Sequence, residues 1–189
     1  MKIYTKKGDG GTTGLLFGGR VDKDDARTWV YGTLDEAVAA LGVARAGGLV
    51  GRAEDIVVRM QREMFIVGAQ LATAEANQAK LKDGVSRVTP SMTDAAEGEI
   101  DALVDEHPLP NEFILPGATP GSAGLDLART IIRRAEREAV RMNRDGMVPD
   151  PEILRYLNRV SDLLFALARY EEAERGRRAE PSRDRDGDS

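Results

Sequence analysis

The chain has 189 residues, enough for one domain with a sizeable core, and its 27 basic residues are outnumbered by 32 acidic ones. A net charge of −5 argues against a bulk electrostatic nucleic-acid binder, and an aromatic content of 5% argues against a base-stacking surface. With no cysteine and a single histidine, disulfides, thiolate metal sites, histidine zinc sites and a Ser-His-Asp triad are all excluded. The opening Met1-Lys2-Ile3-Tyr4-Thr5-Lys6-Lys7 has no apolar signal core, and no later run approaches membrane-spanning length. A cytoplasmic protein with no membrane and no nucleic-acid partner is the expectation.

Residues 1 to about 25 are rich in glycine, threonine and lysine without apolar periodicity, which predicts a loop. From 26 to 46, Trp29, Val30, Leu34, Val38, Leu41 and Val43 recur at helical spacing until Gly47-Gly48 ends the run. A second helix is predicted over 53 to 74, with Ile56, Val57, Met60, Met64, Val67 and Leu71 on its inner face. A polar stretch follows, then Pro90 opens a shorter acidic helix that ends near His107, where Pro108 and Pro110 break it. Phe113-Ile114-Leu115-Pro116-Gly117 reads as extended or turn-like. A fourth helix is predicted over 122 to 144 and a fifth over 151 to about 175, separated by Gly146 and Pro149. Five helices, no convincing strand and short connections predict an all-α five-helix bundle spanning 1–175. The polar residues 176–189 lack large apolar side chains and read as a disordered C-terminal tail.

Three segments carry chemistry. Lys6-Lys7-Gly8-Asp9-Gly10-Gly11-Thr12-Thr13-Gly14 combines cations, exposed backbone N–H groups and hydroxyls, the materials for wrapping a phosphate chain. It is neither a P-loop, since no Gly-Lys-Ser/Thr closes it, nor a dinucleotide fingerprint, since Thr13 stands where the third glycine belongs. The fourth helix carries Arg129, Arg133, Arg134 and Arg137 with Glu136 inside ten residues. Arg129, Arg133 and Arg137 are four apart and share a stripe, which is either a solvated face or an anion site. The interleaved Leu125, Ala128, Ile132, Ala135 and Ala139 favour a mostly buried helix and hence an anion or carboxylate partner. On the fifth helix, Asn158 and Asp162 line one stripe. Mid-helix asparagine calls for a polar partner, either across a buried helix–helix contact or on a ligand or metal. Asp35-Glu36 in the first helix is either an exposed acidic pair or a partner for one of the arginines. His107, in a proline-flanked turn, reads as a surface residue. A protein so equipped contributes charge stabilisation and positioning, and the nucleophile comes with a cofactor or substrate.

The opening Thr5-Lys6-Lys7-Gly8-Asp9-Gly10-Gly11-Thr12-Thr13 resembles the nucleotide loop of the PduO-type ATP:cob(I)alamin adenosyltransferases. Phe113-Ile114-Leu115-Pro116-Gly117, the Arg129 to Arg137 block and Tyr156-Leu157-Asn158-Arg159-Val160-Ser161-Asp162 resemble further motifs of that family, in the same order. The likeness covers roughly residues 2 to 173, with Ala118 standing where a second glycine is usual.

That resemblance implies transfer of the 5′-deoxyadenosyl group of ATP to the cobalt of cob(I)alamin, giving adenosylcobalamin and triphosphate. It implies a homotrimer with its sites at subunit interfaces, Mg²⁺ accompanying ATP, and a cobalamin reductase and an adenosylcobalamin-dependent mutase as partners. By matching positions, ATP contacts fall to Thr5, Lys6, Lys7, Gly8, Thr13, Gly14, Lys23, Arg133, Arg134, Glu136, Arg137 and Asn158, with Glu136 and Asn158 at the metal. Phe113 and Phe165 fall on the corrinoid side, Arg133 and Phe113 carry the catalytic roles, and Asp35 and Arg129 form an intersubunit salt bridge. The alternative is a non-catalytic ATP-binding regulatory bundle, which would keep the loop and Arg133 but lack the apolar corrin surface.

Overall fold

In the computed structural model, which describes residues 3 to 183, five helices form the bundle. They are α1 (Ala26–Ala46), α2 (Gly51–Leu71), α3 (Pro90–Glu106), α4 (Pro120–Arg144) and α5 (Glu152–Glu174). Helix α4 packs against α1 and α5, α3 lies on α5, and α2 closes on α1. Each helix faces the core with the apolar stripe its sequence offers. In α1 this is Val30, Leu34, Ala37, Leu41 and Ala44; in α4 it is Leu125, Ala128, Ile132, Ala135 and Ala139.

Local signals fix the helix ends. The Asp25 carboxylate accepts from Arg27 N at 2.9 Å and starts α1. Thr119 and Ser122 cap α4 reciprocally: the Thr119 hydroxyl accepts from Ser122 N at 3.0 Å, and Ser122 Oγ accepts from Thr119 N at 3.1 Å. With Pro120 in its first turn, α4 begins two residues before the predicted start. Both α4 and α5 end in a glycine at positive φ, Gly146 at 70° and Gly176 at 63°. The amides that follow return to the last turn, Met147 N to Met142 O at 2.9 Å and Arg177 N to Glu172 O at 2.8 Å.

Two expectations fail here. Short strands are present: β1 (Thr12–Gly14) pairs with β2 (Arg20–Asp22), and β3 (Ile114–Leu115) pairs with β4 (Glu180–Pro181), both antiparallel. Strands of two or three residues are too short for alternation to register in a sequence. Nor does a structureless tail begin at 176. Gly176 reverses the chain, β4 joins β3, and Ser182 N donates to Phe113 O at 2.8 Å. Backbone hydrogen bonds hold this segment without any large apolar side chain; residues 184 to 189 of the predicted tail lie outside the described residues. The polar stretch after α2 also contains a 3₁₀ turn, Glu75–Lys80.

Helices α1 and α4 approach each other closely at Gly124. A Cβ at Gly124 would stand 2.6 Å from Ala44 Cα and 2.8 Å from Ala44 N. Since backbone cannot yield as a side-chain tip does, Gly124→Ala must force the helices apart. That overpacking costs about 1–3 kcal/mol, against a helix-propensity gain of at most about 1 kcal/mol. The variant is expected to unfold at lower denaturant with an unchanged slope; an equal or higher midpoint would show the contact is not needed.

Candidate active site

The N-terminal loop is built on the β1–β2 hairpin, whose register pairs Thr13 with Val21 and Gly14 with Arg20. Arg20 ties it together. Its Nη2 donates to Lys7 O at 2.7 Å and to Thr12 Oγ1 at 2.6 Å, and its Nε donates to the same hydroxyl at 3.1 Å. The Lys23 amide donates to Gly11 O at 2.8 Å, and the space beside Gly8 is filled by the Lys23 side chain, 3.4 Å from where a Cβ would lie. Thr5, Lys6, Lys7, Gly8, Thr13, Gly14 and Lys23 therefore share one structured loop, with Lys6 at a φ of 59°. No motif marks Arg20 in the sequence. Its role depends on a fold-back that only the hairpin reveals.

Helix α4 corrects the reading of the arginines. The helix buries one face only, and Arg133, Arg134 and Arg137 are exposed, with Arg129 half-buried. Leu125, Ala128, Ile132, Ala135 and Ala139 occupy the core face, and the arginines lie to its sides and behind it. Their partners divide them. Arg134 pairs with Glu36 of α1, so the acidic dipeptide does supply a carboxylate to the arginine helix. Arg129 Nε donates to Asp126 Oδ1 at 2.9 Å. Among the described residues, Arg133 and Arg137 have no hydrogen-bond or ion-pair partner, and Asp35 is exposed without an ion pair.

Glu136 and Asn158 do meet: Asn158 Nδ2 donates to Glu136 Oε1 at 3.1 Å, joining α4 to α5 on the surface instead of in the core. Beside this pair an open cleft of about 580 Å³ runs between α3, α4 and α5. Its walls include Arg129, Arg133, Asp162 and Ser161, and Phe165 and Leu109 give it an apolar part. Arg159 is clamped there between Glu97 at 2.8 Å and Asp162 at 3.0 Å. The hydrogen bond that Arg159 donates to Glu97 holds its pKa above the ordinary value, against the effect of burial.

Under the cleft lies a buried ion network. Asp126 is 3% exposed, Arg169 6% and Glu172 2%. Arg169 donates to both Glu172 oxygens at 2.8 Å and to Asp126 Oδ2 at 2.7 Å. Burial would lower the Arg169 pKa, but hydrogen bonds to Glu172 and Asp126 raise it overall, so the group stays charged. Arg129 and Arg169 both lie over the Phe165 ring, with guanidinium carbons 5.8 and 5.1 Å from its centroid. Phe113 sits apart from this cleft, 87% exposed and immediately before β3. Nor does any hydrogen bond or ion pair join the N-terminal loop to α4 among the described residues. The single chain presents the loop, the arginine cleft and Phe113 as separate surfaces.

Residues 3–171 match the family model described as cobalamin adenosyltransferase. The chain belongs to that family. The corrinoid adenosyltransferase of Citrobacter freundii is 40% identical over 171 residues, which cover 90% of this chain and 95% of that protein. The corrinoid adenosyltransferase of Mycobacterium tuberculosis is 42% identical over 172 residues, 89% of this chain and 87% of that one. Among solved structures, a variant PduO-type ATP:corrinoid adenosyltransferase from Lactobacillus reuteri, complexed with cobalamin and ATP, superposes with a TM-score of 0.86 at 30% identity. The match covers 97% of this chain and 100% of that chain. A second variant from that organism, complexed with ATP, gives 0.82 at 31% identity over 96% and 100% of the two chains. Among the described residues of this family member, no helix is long and apolar enough to cross a membrane.

The ion pairs of the family member differ in weight. Asp126→Ala strands part of a buried network and is expected to cost on the order of 3 kcal/mol. Arg134→Ala breaks a half-exposed pair and should cost less than about 1 kcal/mol. Urea unfolding of both variants tests the ranking, and equal midpoints would contradict it.

Proposed function

We propose that this chain transfers the 5′-deoxyadenosyl group of ATP to the cobalt of cob(I)alamin, releasing triphosphate. The observation that carries the reading is the state of Arg133 and Arg137. In a helix where Arg129, Arg134 and Arg141 each hold a carboxylate, these two are left exposed and unpaired among the described residues. Two uncommitted guanidinium groups, one of them in the wall of a cleft with an apolar part, suit a polyphosphate lying next to a large, mostly apolar co-substrate. The relatives named for corrinoid adenosylation, and the similar structures complexed with cobalamin and ATP, support the same reading.

The chemistry asks little of the protein's own nucleophiles, and this chain offers neither cysteine nor a histidine in the cleft. Cobalt(I) of the substrate attacks C5′ of ATP; the Co–C bond forms as the C5′–O bond breaks, and the electron pair leaves with triphosphate. Negative charge grows on that leaving group. Arg133 and Arg137 on one side and Lys6, Lys7 and Lys23 of the loop on the other meet it, with Thr5, Gly8, Thr13 and Gly14 lining the phosphate chain. Arg134 completes the cationic set from the flank of α4.

Glu136 and Asn158 provide hard oxygen donors on an exposed face, a set that fits Mg²⁺ shared with phosphates and water. When bound, Mg²⁺ supplies further neutralisation of the triphosphate. Phe113 covers the lower face of the corrin and Phe165 packs at its edge. Together they exclude water and a lower ligand, which eases reduction to cobalt(I).

The separation of loop from arginine face within one protomer favours a homotrimer with ATP and corrinoid at the subunit interfaces. Exposed Asp35 is then free to reach a neighbour's copy of Arg129. A cytoplasmic setting, with a reductase delivering cobalt(I) and a mutase receiving adenosylcobalamin, completes the proposal.

Arg133→Ala is expected to lower kcat/KM by about 10²–10³-fold while the protein stays folded, as for loss of one preorganised charge contact in the transition state. Turnover near that of the parent, followed through the adenosylcobalamin spectrum, would remove Arg133 from the mechanism. Phe113→Ala should depress adenosylation with little change in ATP affinity. A collapse of ATP binding with normal corrinoid spectra would assign the ring to the wrong substrate.

A further inference from the structure

Behind the extended segment that carries Phe113 lies a second cavity, of about 710 Å³, that the adenosylation reading leaves unused. Glu112 and Ile114 line it, whereas Phe113 between them is 87% exposed, as alternation along an extended segment requires. Its far walls come from the end of α5 and the segment leading into β4.

The chemistry of those walls is specific. Arg177 and Arg178 face the cavity and form no ion pair among the described residues. Arg169 contributes a third guanidinium, and its buried Nη1 has no hydrogen-bond partner among the described residues. An unpaired N–H of a buried charged group is costly, so it calls for an acceptor, direct or through water. Three carboxylates also line the cavity. Glu172 is committed to Arg169 and Glu112 is already engaged, which leaves Glu180 against two free arginines. That balance suits one negative charge. Pro108, Pro110 and Pro181, with the His107 ring, supply flat apolar surface for an aromatic group.

We infer that this cavity is a subsite for the nucleotide loop of the corrinoid, with Arg177 and Arg178 binding its phosphodiester. The inference rests on the adenosylation reading. Cobalamin carries its lower ligand on a tail made of a phosphodiester, a ribose and an aromatic base. If Phe113 takes the lower face of the corrin, that tail must leave the cobalt and be housed nearby. The cavity one strand away offers cations for the phosphate and apolar walls for the base.

Cobinamide, which has the corrin but no nucleotide loop, separates the two ideas. Equilibrium binding by calorimetry is measured for both corrinoids with the full-length parent and with R177A/R178A, in the presence of ATP and Mg²⁺. The double substitution is expected to weaken cobalamin binding about tenfold and leave cobinamide binding unchanged, since charge-assisted contacts to the tail alone are lost. R177K/R178K should keep most of the affinity for cobalamin. Equal effects of R177A/R178A on both corrinoids, or none on either, would overturn the subsite while leaving adenosylation intact. So would a loss confined to binding of inorganic triphosphate, which would make the cavity a product site. If the parent bound neither corrinoid, the adenosylation reading itself would fall.

Discussion

One buried carboxylate organises the catalytic half of this molecule. Asp126 accepts from Arg129 on its own helix and from Arg169 on α5, and Arg169 is held in turn by Glu172. Two acids and two bases thus close a nearly neutral cluster in an interior where an uncompensated charge would be very costly. The geometry follows from that requirement. Because Asp126 must satisfy both arginines, α4 and α5 are fixed in register, and the two guanidinium groups are laid across Phe165. The register of α4 on α5 also brings Glu136 to Asn158 and turns Arg133 toward the cleft.

The helices were legible in the sequence because each is long enough for its apolar period to dominate. Helix α1 runs over 26 to 46 as predicted, and α2, α3 and α5 agree to within a few residues. Periodicity also identified the stripe of Arg129, Arg133 and Arg137. It did not say how far that stripe stands from the core. The apolar residues had already claimed the inward arc, and arginines beside it fall on the surface, where long side chains keep their charge in water. Asn158 shows the same pattern: its polar partner across the helix contact is real, but the contact is exposed.

What the sequence concealed lies mostly in contacts between distant segments. Arg169 and Asp126 stand on different helices, and nothing local to either predicts their meeting. Arg20 reads as an ordinary surface residue until the hairpin folds it back onto Lys7 and Thr12. No local pattern marks Gly124, whose need for a bare Cα shows only against Ala44. The end of the chain is the clearest case. Composition rules out a core there, but main-chain hydrogen bonds to β3 need no particular side chain and leave no compositional trace.

The β3–β4 ladder has a kinetic side. Among the described residues, two paired positions and one further amide bond join the end of the chain to the Phe113 segment, whereas the helices are locked by a continuous core. Local opening free energies scale with such differences, from near zero for short exposed ladders up to the global value for core helices. The Phe113 segment is therefore expected to open more often than the bundle loosens. Amide exchange at Ser182 is then expected to outpace exchange in the middle of α4, so that the cavity behind Phe113 and the arginine face answer to different opening events.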